Sequence, residues 1–203
     1  MFVKICGLTE EDHVNTAVDA GADAIGFVLT DSPRKVVPER AYELAELVPR
    51  SLLTVAVFAG LPSHAILPLA QSTGVDAIQL HGDYALADFE YLSGHGFNLI
   101  RAVSGETASD LTTGAFGEDL LIVDAPEAGA GRTWDFSGLT TPPSGRWLLA
   151  GGLTVDNVAD AIAKASPWGV DVSSGVESSR GIKDPTLIRA FVEKAKATAP
   201  ADQ

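Results

Sequence analysis

The sequence predicts one α/β domain, a closed (β/α)8 barrel spanning residues 1–203 with a weak or missing fifth helix. Three observations predict it. Eight short apolar, β-branched runs alternate with longer amphipathic ones, the pattern of strand–helix units in a parallel sheet. The 203 residues suit a single large domain, and a chain of this size buries roughly 70% of its unfolded surface without staples. Polar and glycine residues collect at the C-terminal ends of the strand runs, the rim on which such barrels carry their chemistry. A doubly wound open sheet is the structural rival, and closure is the simpler solution at this length.

The strands are expected at Phe2–Cys6, Ala24–Val28, Leu53–Phe58, Ala77–Leu80, Leu99–Val103, Leu120–Val123, Trp147–Ala150 and Gly169–Val172. Helices are expected over Glu10–Ala20, Pro38–Leu47, Ser63–Ser72, Ala85–Ser93, Thr154–Lys164 and Pro185–Thr198. Thr9 and Thr154 precede acidic residues and are expected N-caps, as is Asp184 before Pro185. Gly21, Gly74 and Gly94 stand where a helix closes with a left-handed residue. Ser104–Phe116 carries only a weak helical signal. Ala125–Pro143 is rich in Gly, Pro, Thr and Ala, with a short helical stretch near Trp134–Leu139, and the tail Ala197–Gln203 reads as frayed. No domain boundary and no strong internal repeat stand out.

The net charge of −13 leaves no basic stripe, so nucleic acid is not an expected partner. An anionic small substrate would have to be held by local backbone N–H groups. One cysteine excludes an intramolecular disulfide and fits a reducing, cytoplasmic setting. No apolar run is long enough for a bilayer, and the opening residues lack the features of a secretory leader. The scattered histidines and the absence of nucleotide fingerprints predict neither a metal nor a cofactor. Either a monomer or a homodimer fits the sequence.

Cys6 ends the first strand, where a catalytic role and a buried apolar one stand at even odds. Period-2 alternation puts Lys4 on its face, and a lysine inside a barrel must be paired. Asp171, on the strand that closure brings alongside, is the expected partner. Asp124 follows an apolar strand with no helix pattern after it, which points to a catalytic carboxylate rather than a cap. His81 ends the fourth strand, as a backbone-satisfying residue or a substrate contact. Arg34, in the loop after the second strand, is a candidate carboxylate clamp because its planar fork matches that group. The segments Gly151-Gly152 and Ser173-Ser174-Gly175 follow the seventh and eighth strands, where barrels bind phosphate.

These motifs, taken in order, resemble the phosphoribosylanthranilate isomerase family. The likeness rests on Lys4-Ile5-Cys6-Gly7, Gly26-Phe27-Val28, Ser32-Pro33-Arg34, Val55-Ala56-Val57-Phe58, Gln79-Leu80-His81-Gly82, Asp124, Leu149-Ala150-Gly151-Gly152-Leu153 and Gly169 through Glu177. It covers nearly the whole chain. The resemblance implies a cofactor-free Amadori rearrangement of a phosphorylated small molecule in tryptophan biosynthesis. By carry-over Asp124 is the general acid and Cys6 the general base. Arg34 holds the anthranilate carboxylate, Gly152 and Ser173–Gly175 hold the phosphate, and His81 and Asp171 line the pocket. Lys4 is expected to lower the Cys6 thiol and make it a better base. The sequence departs from the family in Ala128-Gly129-Ala130-Gly131-Arg132, where alanines replace a glycine and a threonine. The rivals are the related histidine-pathway isomerase, a dual-substrate enzyme, and a silent barrel that only binds a phosphorylated ligand. The first usually carries an aspartate where Cys6 stands.

Overall fold

A computed structural model describes residues 1–105, 110–124 and 142–198. The short helix expected near Trp134–Leu139, the divergent loop at Ala128–Arg132 and all but Ala197 and Thr198 of the expected frayed tail lie outside the described residues.

Eight parallel strands close in sequence order: β1 (Phe2–Cys6), β2 (Ala24–Val28), β3 (Leu53–Phe58), β4 (Ala77–His81), β5 (Asn98–Ser104), β6 (Leu120–Asp124), β7 (Trp147–Ala150) and β8 (Gly169–Val172). Lys4 of β1 is registered with Ala24 on one side and Asp171 on the other, so the sheet has no free edge and is not an open one. β4, β5 and β6 run one residue further than the sequence predicts, ending on His81, Ser104 and Asp124. Those added residues carry polar groups onto the rim.

The helices are α1 (Glu11–Asp19), α2 (Pro38–Ala45), α3 (Ser63–Gln71), α4 (Leu86–Leu92), α5 (Val158–Ala165) and α6 (Pro185–Ala197). Asp184 caps α6 as expected, its carboxylate accepting from the Thr186 and Leu187 amides at 2.8 and 3.3 Å. Thr9 does not cap α1; Glu10 takes that position without a side-chain hydrogen bond. Thr154 does not cap α5 either. The Thr154 N–H donates to Asn157 Oδ1 at 2.7 Å and Asn157 donates to the Gly152 carbonyl at 2.9 Å, so an Asn-centred turn takes up these residues and the helix starts at Val158.

Strand parity sorts the side chains into two cores. Val3, Ile5, Phe27, Phe58, Leu80 and Phe191 belong to the layer between barrel and helices. Cys6, Val55, Val57, Ile100, Ile122 and Leu148 fill the barrel itself.

No helix lies between β5 and β6 among the described residues. A buried arginine organises the connection instead. Arg101 donates to Glu118 at 2.7 Å and to the Asp110 and Thr112 carbonyls at 3.0 and 3.2 Å, and it lies over the Phe116 ring. Phe116 in turn meets Phe89 of α4 edge-on, covering barrel surface a helix would otherwise cover.

The bottom of the barrel holds a repeated turn at its helix-to-strand ends. Gly21-Ala22-Asp23, Gly74-Val75-Asp76 and Gly117-Glu118-Asp119 each turn on a glycine at φ 84, 65 and 80°. Each aspartate then accepts the backbone N–H of the preceding odd strand, at Val3, Thr54 and Leu99, over 2.7–2.9 Å. The fourth copy reads Ser166-Pro167-Trp168, and Ser166 takes the left-handed turn at φ 46° without a glycine.

Candidate active site

A depression of about 500 Å³ opens at the barrel's bottom, but Asp23, Asp76 and Asp119 in its lining are committed to the backbone bonds just described. The chemistry lies at the other end. A cavity of about 340 Å³, in the range of small-ligand sites, is lined by Cys6, Arg34, His81, Asp124, Asp171, Gly151, Gly152, Ser173, Ser174 and Gly175. Every site residue picked from the sequence therefore reaches one cavity, because each ends a strand or opens the loop after it.

Cys6 and Lys4 share the interior face of β1. Lys4 is fully buried and donates to Asp171 at 2.9 Å, the pairing that closure predicts. Gly26 makes the space: a Cβ there would lie 3.0 Å from Cys6 Sγ and 3.3 Å from Lys4 Nζ. Burial alone would lower the Lys4 ammonium, yet Asp171 and Cys6 hold it above its ordinary value.

The expected net effect on Cys6 is corrected by the structure. Burial pushes the thiol up, the Lys4 ammonium pulls it down, Asp171 pushes it up again, and the balance is a raised value. Desolvation outweighs one ammonium that already shares its charge with a carboxylate.

Asp124 ends β6 and is half-buried, with His81 Nε2 3.7 Å from Oδ2. Burial raises its carboxyl above the ordinary range against the downward pull of His81. A carboxyl pushed up in a cavity holds its proton further toward neutrality, as a general acid requires.

The β7 and β8 loops form one floor. A Cβ on Gly175 would run into the carbonyl of Leu153, so the two loops touch backbone to backbone. Gly175→Ala is therefore expected to lower stability by about 1–3 kcal/mol through forced separation of the loops; denaturant unfolding at constant m-value reads it. Ser173 lines the cavity, but its hydroxyl donates to the Cys6 carbonyl at 3.1 Å and accepts from Lys183 at 3.2 Å. Its side chain ties β8 to β1.

Arg34 reaches the cavity with its fork already engaged. Its Nε and Nη2 donate to Glu177 at 2.6 and 2.9 Å. Glu177 opens a small hairpin, β9 (Glu177–Ser179) and β10 (Ile182–Lys183), and also accepts from Lys183 at 2.8 Å and the Gly181 amide at 3.0 Å. Burial would raise this carboxyl, but its partners win and hold it down at about 2. A depressed carboxyl stabilises the fold above its unfolded value of 4.5 and loses that contribution as pH falls through about 2. Glu177→Gln is thus expected to flatten the acid limb of stability between those two pH values, measured by unfolding at a series of pH values.

Gln79, Glu177 and Lys183 are residues that site reasoning from the sequence missed. Gln79 is buried in the cavity wall, and its Oε1 has no hydrogen-bond partner among the described residues. Its parity with His81 on β4 was the available signal. Lys183 carried none, since its contacts depend on the hairpin. Among the described residues no group of His, Cys, Asp and Glu is placed to hold a metal ion, and no helix is long and apolar enough to cross a membrane.

Comparison with known proteins agrees with this geometry. The family model of N-(5'-phosphoribosyl)anthranilate isomerase matches residues 3–194. The chain is 42% identical to the N-(5'-phosphoribosyl)anthranilate isomerase of Pelobacter propionicus, over 97% of this chain and 96% of that one. The crystal structure of TrpF from Jonesia denitrificans superposes with a TM-score of 0.91 at 50% identity, covering 98% of each chain. A phosphoribosylanthranilate isomerase in complex with reduced 1-(o-carboxyphenylamino)-1-deoxyribulose 5-phosphate superposes at 0.77 with 29% identity, over 97% of this chain and 99% of that one.

Proposed function

The chain belongs to the N-(5'-phosphoribosyl)anthranilate isomerase family, and we propose that Cys6 and Asp124 carry the proton transfers of its reaction in the cavity above β1 and β6. The protein is an isomerase of tryptophan biosynthesis. It converts N-(5'-phosphoribosyl)anthranilate to 1-(2-carboxyphenylamino)-1-deoxyribulose 5-phosphate. The observation that carries the assignment of roles is the meeting of a thiol and a raised carboxyl in one cavity, above a floor of two glycine loops.

Asp124, protonated, gives its proton to the ribose ring oxygen as the ring C–O bond breaks, and the glycosylamine opens to a Schiff base. Cys6, as thiolate, takes the C2' proton, and the electron pair moves to form the enolamine. At this point the enzyme holds a carboxylate and a thiol, the reverse of its starting state. In the tautomerisation to the ketone the Cys6 thiol returns a proton to C1' and the Asp124 carboxylate takes the enol hydroxyl proton, which resets both groups. No cofactor is needed, because the isomerisation moves protons without net oxidation.

The phosphate sits on Gly151, Gly152 and Ser173–Gly175, whose backbone approaches closely because these loops touch. Arg34 takes the ring carboxylate, while His81 and Asp171 line the pocket wall and keep Asp124 and Lys4 in place. The working unit is one barrel domain over residues 1–203, acting in the cytoplasm on a phosphorylated small molecule, as monomer or homodimer, with no nucleic-acid or membrane partner.

The test is turnover of N-(5'-phosphoribosyl)anthranilate beside the aminoribose phosphate of histidine biosynthesis. Turnover of the anthranilate compound alone is expected. Turnover of both would make the enzyme dual-substrate, and turnover of neither would leave a ligand-binding barrel.

A further inference from the structure

Arg34 is held from two sides before any substrate arrives. Its stem lies on Gly7, a glycine at φ 78° where a Cβ would come within 2.6 Å of Arg34 Cδ. Its guanidinium meets Glu177 side-on, through Nε and Nη2, at 2.6 and 2.9 Å. A guanidinium carries five N–H groups in a fixed plane. The side-on pairing uses one on Nε and one on Nη2, which leaves the end-on edge between Nη1 and Nη2. Among the described residues nothing takes a hydrogen bond from Nη1.

Glu177 itself does not line the cavity, and its side chain is 4% exposed against 20% for Arg34. It stands behind the arginine, braced by Lys183 Nζ and the Gly181 amide. Lys183 also donates to the carbonyl and hydroxyl of Ser173, at 2.9 and 3.2 Å. One continuous chain of hydrogen bonds therefore runs from the candidate carboxylate clamp to the candidate phosphate loop. The hairpin is seated tightly, since a Cβ on Gly181 would meet the Pro33 carbonyl at 2.8 Å, beside Arg34.

We propose that Glu177 is a positioning residue that fixes the plane of Arg34 and leaves only its end-on edge for the substrate, which selects a planar ring carboxylate over a neutral carboxamide. This rests on the reading of Arg34 as the carboxylate clamp. A carboxylate offers two equivalent charged acceptors to that edge, whereas a carboxamide offers one acceptor and turns a donor toward a donor. Arg34, Glu177 and Lys183 together carry one net positive charge. The site thus keeps a local attraction for anions in a protein whose net charge is −13.

The experiment compares two probes: the reduced carboxyphenylamino-deoxyribulose phosphate and the same compound with a carboxamide in place of its ring carboxylate. Wild type is expected to bind the first about tenfold to a hundredfold more tightly, the size of one charged hydrogen-bonded pair. Glu177→Gln is expected to cut that preference to about threefold or less, while affinity for the carboxamide probe stays within about twofold. In turnover it should raise KM more than it lowers kcat, and Glu177→Asp should restore part of the loss.

Because Glu177→Gln strips Lys183 of its buried partner, the variant Glu177→Gln/Lys183→Met is measured alongside it. This pair of substitutions removes the charge pair without leaving an unpaired ammonium. Equal weakening of both probes in a folded variant would overturn the proposal and make Glu177 a purely structural brace. Equal binding of both probes by wild type would remove the Arg34 clamp reading, and with it this proposal, before any variant is made.

Discussion

Cys6→Ser and Asp124→Asn are each expected to lower kcat by about a hundredfold to ten-thousandfold, the usual worth of a positioned acid or base. KM should change little, because neither substitution touches the two glycine loops proposed to hold the phosphate. Serine keeps nearly the shape of cysteine but has far too high a pKa to be a base near neutrality. Asparagine keeps the shape of aspartate without a proton to give. The double variant should fall far less than the product of the two losses, since both groups serve one proton circuit. Full activity in either single variant would refute the assigned roles while leaving the family membership intact.

The pH dependence carries a second signature of the same pair. The proposed mechanism needs Cys6 ionised and Asp124 protonated, and both groups are raised by burial. The bell of kcat/KM should therefore lie on the alkaline side of where an ordinary carboxyl and thiol would put it. Its lower limb falls where Asp124 titrates and its upper limb where Cys6 does, as apparent values of the pair. Between those limbs the active form, thiolate with carboxylic acid, is a minority species of fixed proportion. A lower limb in the ordinary carboxylate range would contradict the burial argument for Asp124.

The largest stability effect is expected at Lys4. It is fully buried and ion-paired to Asp171 at 2.9 Å inside the barrel. Lys4→Met removes one partner and leaves an uncompensated carboxylate, at a cost of roughly 3–5 kcal/mol. For a domain of this size each kcal/mol lowers Tm by about 2–4 °C. Lys4→Met/Asp171→Leu should recover most of that stability, because it replaces a buried ion pair with apolar groups of similar bulk. It should not recover activity. Without the ammonium the Cys6 thiol loses the main group that pulls it down. A single variant as stable as wild type would show that the pair does not brace the barrel, and an active double variant would show that Lys4 does nothing for Cys6.

Much of this protein is legible in the order of its residues. Strand parity is local, with a period of two, so it places Lys4 beside Cys6 without any knowledge of the fold. Closure then makes Asp171 the neighbour of Lys4, as the register shows. The concentration of Cys6, His81, Asp124 and two glycine loops at strand ends located the cavity, because in a parallel barrel all strand ends of one kind share a rim. Asp184-Pro185 likewise marked the start of α6, since capping needs only neighbours in sequence.

What needed the tertiary structure depends on what closes around a group. The net direction of the Cys6 shift is set by desolvation, which no spacing reveals, and burial outweighed the lysine that the sequence put beside it. The engagement of Arg34 by Glu177 joins residues 143 apart, through a hairpin that no strand pattern announced. Arg101 organises the described part of the β5–β6 connection only because Glu118 and two carbonyls converge on it. The thiol and carboxyl of the opening prediction were marked by their places at strand ends and by the family resemblance. Their proton affinities, and the plane of the arginine that faces them, were decided by the packing of the barrel.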